Sequence, residues 1–313
     1  MDFFKHDLNI DFMGKWRYAV VVSGVLLLVS VGSLLTRGLN LGIDFTGGTL
    51  IEVAYPQAVD LENVRPLLSK SGYDQAQVQY FGTSRDLLIY LPPQAGLDSA
   101  KLSEAVFSKL RQGNPDVELR RVEYVGPQVG DELAIQGGLA MIYATFGILI
   151  YIMLRFHIRF APGAVMALIH DVFITLGIFS VFQLEFDLTV LAAILAVMGY
   201  SLNDTIVVFD RIRENFRKIR KGTPQEIMNI SVNQTLSRTV MTSSLTLLVV
   251  ISLFMFGGEV IHNFSLALIL GIVVGTYSSI YVASPVSLAL GVSKSDLAPV
   301  KKEGAERGGE GLP

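Results

Sequence analysis

Residues 188–220 read LTVLAAILAVMGYSLNDTIVVFDRIRENFRKIR, an apolar run of 22 residues that carries one acid near its end and then turns basic. A run of that length matches the roughly 20 helical residues needed to cross a bilayer. Its basic tail marks a water-facing end. Asp204 lies inside the run, and a carboxylate in a lipid-spanning segment is costly unless it is partnered, which makes it a functional candidate.

Composition agrees with a membrane protein. Of 313 residues, 51% are hydrophobic and only 17% charged, and the mean hydropathy is +0.48. Such values suit an integral membrane protein with one polar domain. The chain has no cysteine, which excludes disulfides and thiolate chemistry, and no GxxxxGK[ST] loop. The net charge of −3 is uninformative about a nucleic-acid partner, and none is expected. Neither a cofactor, a metal nor an enzymatic activity is expected.

Working outward, five more apolar segments join 188–209: Trp16–Thr36, Ala134–Leu154, Ala161–Phe182, Thr239–Gly257 and Phe264–Leu290. The first is read as a helix rather than a cleaved leader, because its apolar core exceeds the usual 7–15 residues of a signal peptide. Lysines and arginines cluster before the first span, between the second and third, between the fourth and fifth, and after the sixth, whereas QLEFD and GGEVIHN have none. The charge bias puts both termini and the fourth-to-fifth connection in the cytoplasm. The expected organisation is a cytoplasmic N-terminus (1–15), a first span (16–36), an exported domain (37–133), five further spans (134–290) and a disordered cytoplasmic tail (291–313). Within 37–133, strands and helices alternate as β-α-β-β-α-β, the order of a ferredoxin-like α+β sandwich, with a first strand expected over Ile43–Tyr55. Asp44 to Gly48 suits a glycine bulge in that strand.

Several polar residues fall inside the spans. Tyr200 and Asp204, and Gly199 and Asn203, are one helical turn apart in the fourth span. In the fifth, Thr235, Arg238, Thr242 and Thr246 form a polar stripe headed by a guanidinium. Asp204 and Arg238 lie at similar depth, and an ion pair between them is the favoured reading; the alternative is an arginine that snorkels to water. In the third span, His170 and Asp171 sit near the middle. They read as a structural lock or as a second proton-accepting site. Gly271, Gly275 and Ser279 form a small-residue face suited to close helix packing.

Four stretches together carry a resemblance. LGIDFTGGT (Leu41–Thr49), IHDV (Ile169–Val172), GYSLNDTIVVFDRIREN (Gly199–Asn215) and SRTVMTSS (Ser237–Ser244) are similar in order and spacing to the bacterial SecF family, the smaller half of the SecD–SecF translocation accessory complex of the RND superfamily. Leu245 departs from the family pattern, which commonly has a threonine there. The resemblance implies a multi-pass subunit of the bacterial inner membrane, half of a twelve-helix unit. Its implied partners are SecD, the SecYEG channel, exported preprotein, protons and the lipid bilayer. It implies that Asp204 and Arg238 take part in proton transport, with His170, Asp171, Tyr200, Asn203 and Thr242 as possible intramembrane polar support. Two rival readings remain: an RND-type small-molecule half-exporter, and a structural scaffold without proton chemistry.

Overall fold

A computed structural model describes residues 9–93, 99–156 and 158–292. The expected tail lies almost wholly outside them. Among the described residues, six helical stretches are long and apolar enough to cross a membrane. The first is α1 (Trp16–Thr36) and the second α5 (Pro127–Arg155). The others are α6 (Ala161–Phe182), α7 (Leu188–Lys218), α8 (Pro224–Phe256) and a composite of α9 (His262–Ser278), a π-helical turn (Ser279–Ala283) and α10 (Ser284–Ala289).

Three of these helices outrun their apolar stretches because local signals favour continuation. Helix α8 begins 15 residues before Thr239, at a capping box in which Thr223 and Glu226 satisfy each other's backbone N–H, with Pro224 at the first turn. Such a box with an N-terminal proline is a strong start signal that hydropathy does not register. Helix α5 likewise starts at Pro127, and α7 runs on to Lys218, its basic end opposite the positive pole of the helix dipole. Residues before α1 are tied to α8. The backbone N–H groups of Phe12 and Met13 donate to Asn229 Oδ1 at 2.9 and 3.1 Å.

Between α1 and α5 stands the α+β domain. Its strands β2 (Gly48–Ala54), β3 (Gln77–Phe81), β4 (Thr83–Leu91) and β5 (Glu118–Val125) form one antiparallel sheet in the order β3-β4-β2-β5. Helices α3 (Leu61–Lys70) and α4 (Ser99–Gly113) supply the remaining elements of the expected β-α-β-β-α-β order. Ile51, Val53, Val64, Leu68, Leu87, Ile89, Val106 and Leu110 make its core.

The expected first strand is corrected at its start. Residues Ile43–Thr46 form a one-turn helix, α2, and the strand begins only at Gly48. Gly47 and Gly48 adopt φ of 68° and 128°, a region that favours glycine. A Cβ on Gly48 would lie 2.6 Å from the Leu91 carbonyl oxygen, and one on Gly47 2.9 Å from Pro127 Cα. The paired glycines let the sheet and α5 cross backbone to backbone.

A second, two-stranded contact fastens the domain to the bundle. Strand β1 (Asn40–Leu41) pairs in parallel with β6 (Glu185–Phe186), in the α6–α7 connection. Asp44 adds to it by accepting from the Leu188 backbone N–H at 2.9 Å, and Asp187 accepts from Val190 N–H at 2.8 Å, so two carboxylates cap α7. Glu185 lines a cleft of about 170 Å³ against Gln77, Gln79 and Tyr90 of the sheet. Burial pushes its carboxyl above the usual range, and Asp187, Asp44 and Glu123 push the same way, against a lowering hydrogen bond from Gln79.

A carboxyl held high in the folded state favours its neutral form there. This contact is therefore firmest at acid pH and loosens as pH rises through that raised value. Hydrogen exchange at Gly42 N–H, which bonds Phe186 O at 2.9 Å, should show protection falling across that range. Glu185→Gln should flatten the profile, and a response unchanged in the variant would clear Glu185 as its cause.

Candidate functional site: two buried acids in the helix bundle

Helix α9 approaches α7 closely because small residues line the contact. A Cβ on Gly271 would lie 2.2 Å from a Val197 methyl, and one on Gly275 2.9 Å from Ser201 Cβ. The expected small-residue face is thus a packing face, and its closeness brings hydroxyls of α9 within reach of acids on α6 and α7.

Asp171 is 1% exposed and fully engaged. One oxygen faces His170 Nδ1 at 2.9 Å; the other accepts from Ser201 Oγ of α7 at 2.6 Å and Ser278 Oγ of α9 at 2.8 Å. The second ring nitrogen of His170 lies 3.1 Å from Ser23 Oγ of α1. Ser23 is 3.0 Å from Tyr277 Oη, which donates to the Ala19 carbonyl at 2.9 Å. Four helices converge on one carboxylate–imidazole pair.

Asp204 is 2% exposed and more sparsely served. Ser243 Oγ of α8 lies 3.4 Å from its Oδ2 and 2.8 Å from Thr276 Oγ1 of α9, and Thr276 donates to the Ile272 carbonyl at 2.8 Å. Thr276 spends its hydrogen on Ile272, so the single hydrogen of Ser243 must choose between Thr276 and Asp204. With one acceptor per hydrogen, all three contacts close together when Asp204 itself supplies a hydrogen; a Thr276 hydrogen shared between Ile272 and Ser243 closes them with the acid ionised.

The expected Asp204–Arg238 ion pair is corrected. Arg238 is exposed, and among the described residues it makes no ion pair within 4.0 Å. The hydroxyl stripe with which it was grouped also serves other ends. Thr235 and Thr242 donate to carbonyls of their own helix, and Thr242 is exposed. Thr246 donates to the Thr242 carbonyl and accepts from Tyr200 Oη at 3.4 Å. Asn203 is exposed as well. Hydroxyls in helices readily bond back to the preceding turn, which dissolves such a stripe as a site. The α8 residue that meets Asp204 lies one position on, at buried Ser243, with buried Thr239 one turn before it. Ser23, Ser201, Ser243, Thr276, Tyr277 and Ser278 were missed by sequence reading. Each is a neutral residue in an apolar run, and only its spacing from a glycine or acid on another helix gives it a role.

Introducing bulk at Gly271 tests whether this closeness holds the site. Overpacking of a tight contact costs on the order of 1–3 kcal/mol. Gly271→Leu should lower the melting temperature of the detergent-solubilised chain clearly. Gly24→Ala, where an added Cβ meets nothing within 4 Å, should not.

Comparison with known proteins follows the same outline. The profile of the C-terminal region of the protein export membrane proteins SecD/SecF matches residues 105–293, and that of the SecD/SecF GG motif matches 32–59. The latter range contains Gly47 and Gly48. The chain is 53% identical to the protein translocase subunit SecF of Vibrio alginolyticus over 96% of its length and 97% of the relative's. It is 51% identical to that of Pseudomonas aeruginosa over 93% and 94%. The crystal structure of SecDF, a translocon-associated membrane protein from Thermus thermophilus, superposes with a TM-score of 0.83 at 38% identity, covering 91% of this chain and 39% of that one. SecDF in a super-membrane-facing form gives 0.64 at 36% identity, with the same coverage of each chain. This chain therefore spans well under half of the SecDF chains it resembles, and nearly all of its SecF relatives. On sequence, architecture and the paired glycines alike, the chain belongs to the SecF family of multi-pass protein export membrane proteins.

Proposed function

We propose that the chain acts with SecD as the SecF half of a proton-motive-force-coupled unit assisting polypeptide export through SecYEG, and that Asp204 is its proton-carrying group. The supporting observation is the placement of Asp204: the acid is buried in the bundle, meets Ser243 of α8 at 3.4 Å, and ends a hydrogen-bond chain through Thr276 that can take up one further hydrogen. In this reading both termini and the α7–α8 connection face the cytoplasm of a bacterial inner membrane. The α+β domain faces the exported side, where it meets emerging preprotein.

The energetics suit such an engine. A proton crossing 100 mV releases about 2.3 kcal/mol, enough for roughly a 50-fold shift between two helix arrangements. Protonation and release at Asp204 change the charge inside an apolar bundle, and α7, α8 and α9 repack around it. Arg238 acts on Asp204 through the field rather than by contact, its pull present when the acid is ionised and absent when it is neutral.

Asp204→Asn in the chain assembled with SecD should abolish proton-dependent stimulation of preprotein export into membrane vesicles while leaving assembly intact. A fully active D204N complex refutes the assignment. Replacing Asp204 and Arg238 together by Leu separates the scaffold reading, which alone expects no loss of export.

A further inference from the structure

The His170–Asp171 pair has no part in the proton chemistry assigned to Asp204, and its hydrogen bonds do not balance. Five donors serve its network: the Tyr277, Ser23, Ser201 and Ser278 hydroxyls and, for a neutral imidazole, one ring N–H. The contacts need six. Tyr277 gives its hydrogen to the Ala19 carbonyl. Ser201 and Ser278 give theirs to Asp171, that of Ser278 shared in a three-centre bond with the Gly275 carbonyl at 3.1 Å. The ring N–H spans His170 and Asp171. Ser23 is left with one hydrogen for two acceptors, His170 Nε2 at 3.1 Å and Tyr277 Oη at 3.0 Å. Adding one proton to the pair, as imidazolium facing carboxylate or as neutral acid facing the other tautomer, makes Nε2 a donor. Ser23 then turns its hydrogen to Tyr277, and every contact is filled.

We propose that His170 and Asp171 form a second proton-holding site, distinct from Asp204, whose occupancy sets how firmly α1 is tied to the bundle at Ser23 and Ala19. With the proton present, α1 is joined to α6 by the His170–Ser23 bond and to α9 by the Ser23–Tyr277 bond. With it absent, one of the three contacts that tie α1, His170–Ser23, Ser23–Tyr277 or Tyr277–Ala19, must open. The groups facing the pair are Ser23 from α1, Ser201 from α7, and Tyr277 and Ser278 from α9. Tyr281 of the π-helical turn stacks on Tyr277 with ring centroids 5.2 Å apart. Asp204 lies three residues beyond Ser201 on α7. Helices α5 and α10, which also pack on α6, bring no charged group to hydrogen-bond distance among the described residues. Among the described residues no Lys or Arg pairs with the acid, and the imidazole is its basic partner there.

The consequence lies at the far end of α1. That helix leads through β1 and α2 into the α+β domain. It also packs closely on α6 nearer the domain, where a Cβ on Gly177 would lie 2.0 Å from Ser30 Oγ. Freeing the Ser23 half lets α1 pivot about that contact. The hydrogen count around the pair does not depend on whether Asp204 drives export, so this proposal stands apart from the reading above.

The native chain has no cysteine, so two introduced cysteines at Val21 on α1 and Phe182 on α6, both exposed, can be spin-labelled without background. In the full chain assembled with SecD in lipid vesicles, the distance distribution should be narrow at acid pH and broaden in a one-proton transition as pH rises. Ser23→Ala removes the tie, and the distribution should be broad at every pH. Tyr277→Phe removes both ties from α9 and frees the Ser23 hydrogen for a neutral His170, so the remaining His170–Ser23 bond is made at every pH and the distribution should no longer respond to pH. Asp204→Asn should leave the wild-type transition in place. A wild-type distribution indifferent to pH overturns the proposal. So does a transition surviving in either the Ser23 or the Tyr277 variant, or one lost in D204N. A Ser23→Ala chain that fails to assemble, combined with a Tyr277→Phe chain that still titrates, overturns it too.

Discussion

A carboxylate in an apolar bundle has to be surrounded by hydrogen-bond donors, and meeting that demand at Asp171 organises the helix packing. An unmet buried acceptor of this kind costs a few kcal/mol. Its donors come from three helices, Ser201 on α7, Ser278 on α9 and His170 on α6 itself. Serine side chains are short, so the helices must come close. Gly271 and Gly275 on α9 provide that closeness by meeting Val197 and Ser201 without a side chain of their own. Glycine here therefore serves a polar purpose as well as a packing one.

The same economy of short side chains governs the junction between domain and bundle. Two positive-φ glycines let β2 turn beside α5, and the one-turn helix before them aims Asp44 at the free N–H groups of α7. The helix that carries Asp204 thus begins at a cap supplied partly by the α+β domain. A shift of α7 along its axis, or of the domain against it, acts on the same hydrogen bond. Domain and bundle are coupled through α1, through the glycine crossing at α5 and through the β1–β6 pairing with this cap, and a rigid domain needs no more to follow the helices.

Hydropathy and charge made the spans and the α+β order legible, because lipid and the sheet core each impose one strong periodicity on the sequence. The extra turns of α5, α7 and α8 were not, since caps and polar helical extensions carry no apolar signal. Both acids could be found from their placement in apolar runs. Their partners could not. Whether a helical serine faces an acid depends on rotations of α7, α8 and α9 about one another, and a shift of one residue, from Thr242 to Ser243, moves the hydroxyl to another face. The ion pair expected from equal depth failed for the same reason: depth fixes one coordinate, and the helix face fixes the other.

Arg238 and Asp204 are two separate solutions to the cost of charge near lipid. Asp204 is enclosed by protein and offered a hydroxyl. Arg238 stands exposed at the point where α8 turns apolar, followed by exposed Met241, Leu245 and Leu248 that need lipid or a protein surface over them. A long basic side chain at such a boundary can lay its stem along the helix and carry its head toward water or a partner. An electrostatic attraction between the two charges persists beyond contact range, and it weakens where the Arg238 head meets water. Were Asp204 the proton carrier proposed above, a contact pair would have to be broken at each cycle, leaving a bare charge behind. An attraction acting beyond contact would, in that reading, be switched by the proton alone, without an orphaned partner, and its strength would be open to whatever covers the exposed face of α8.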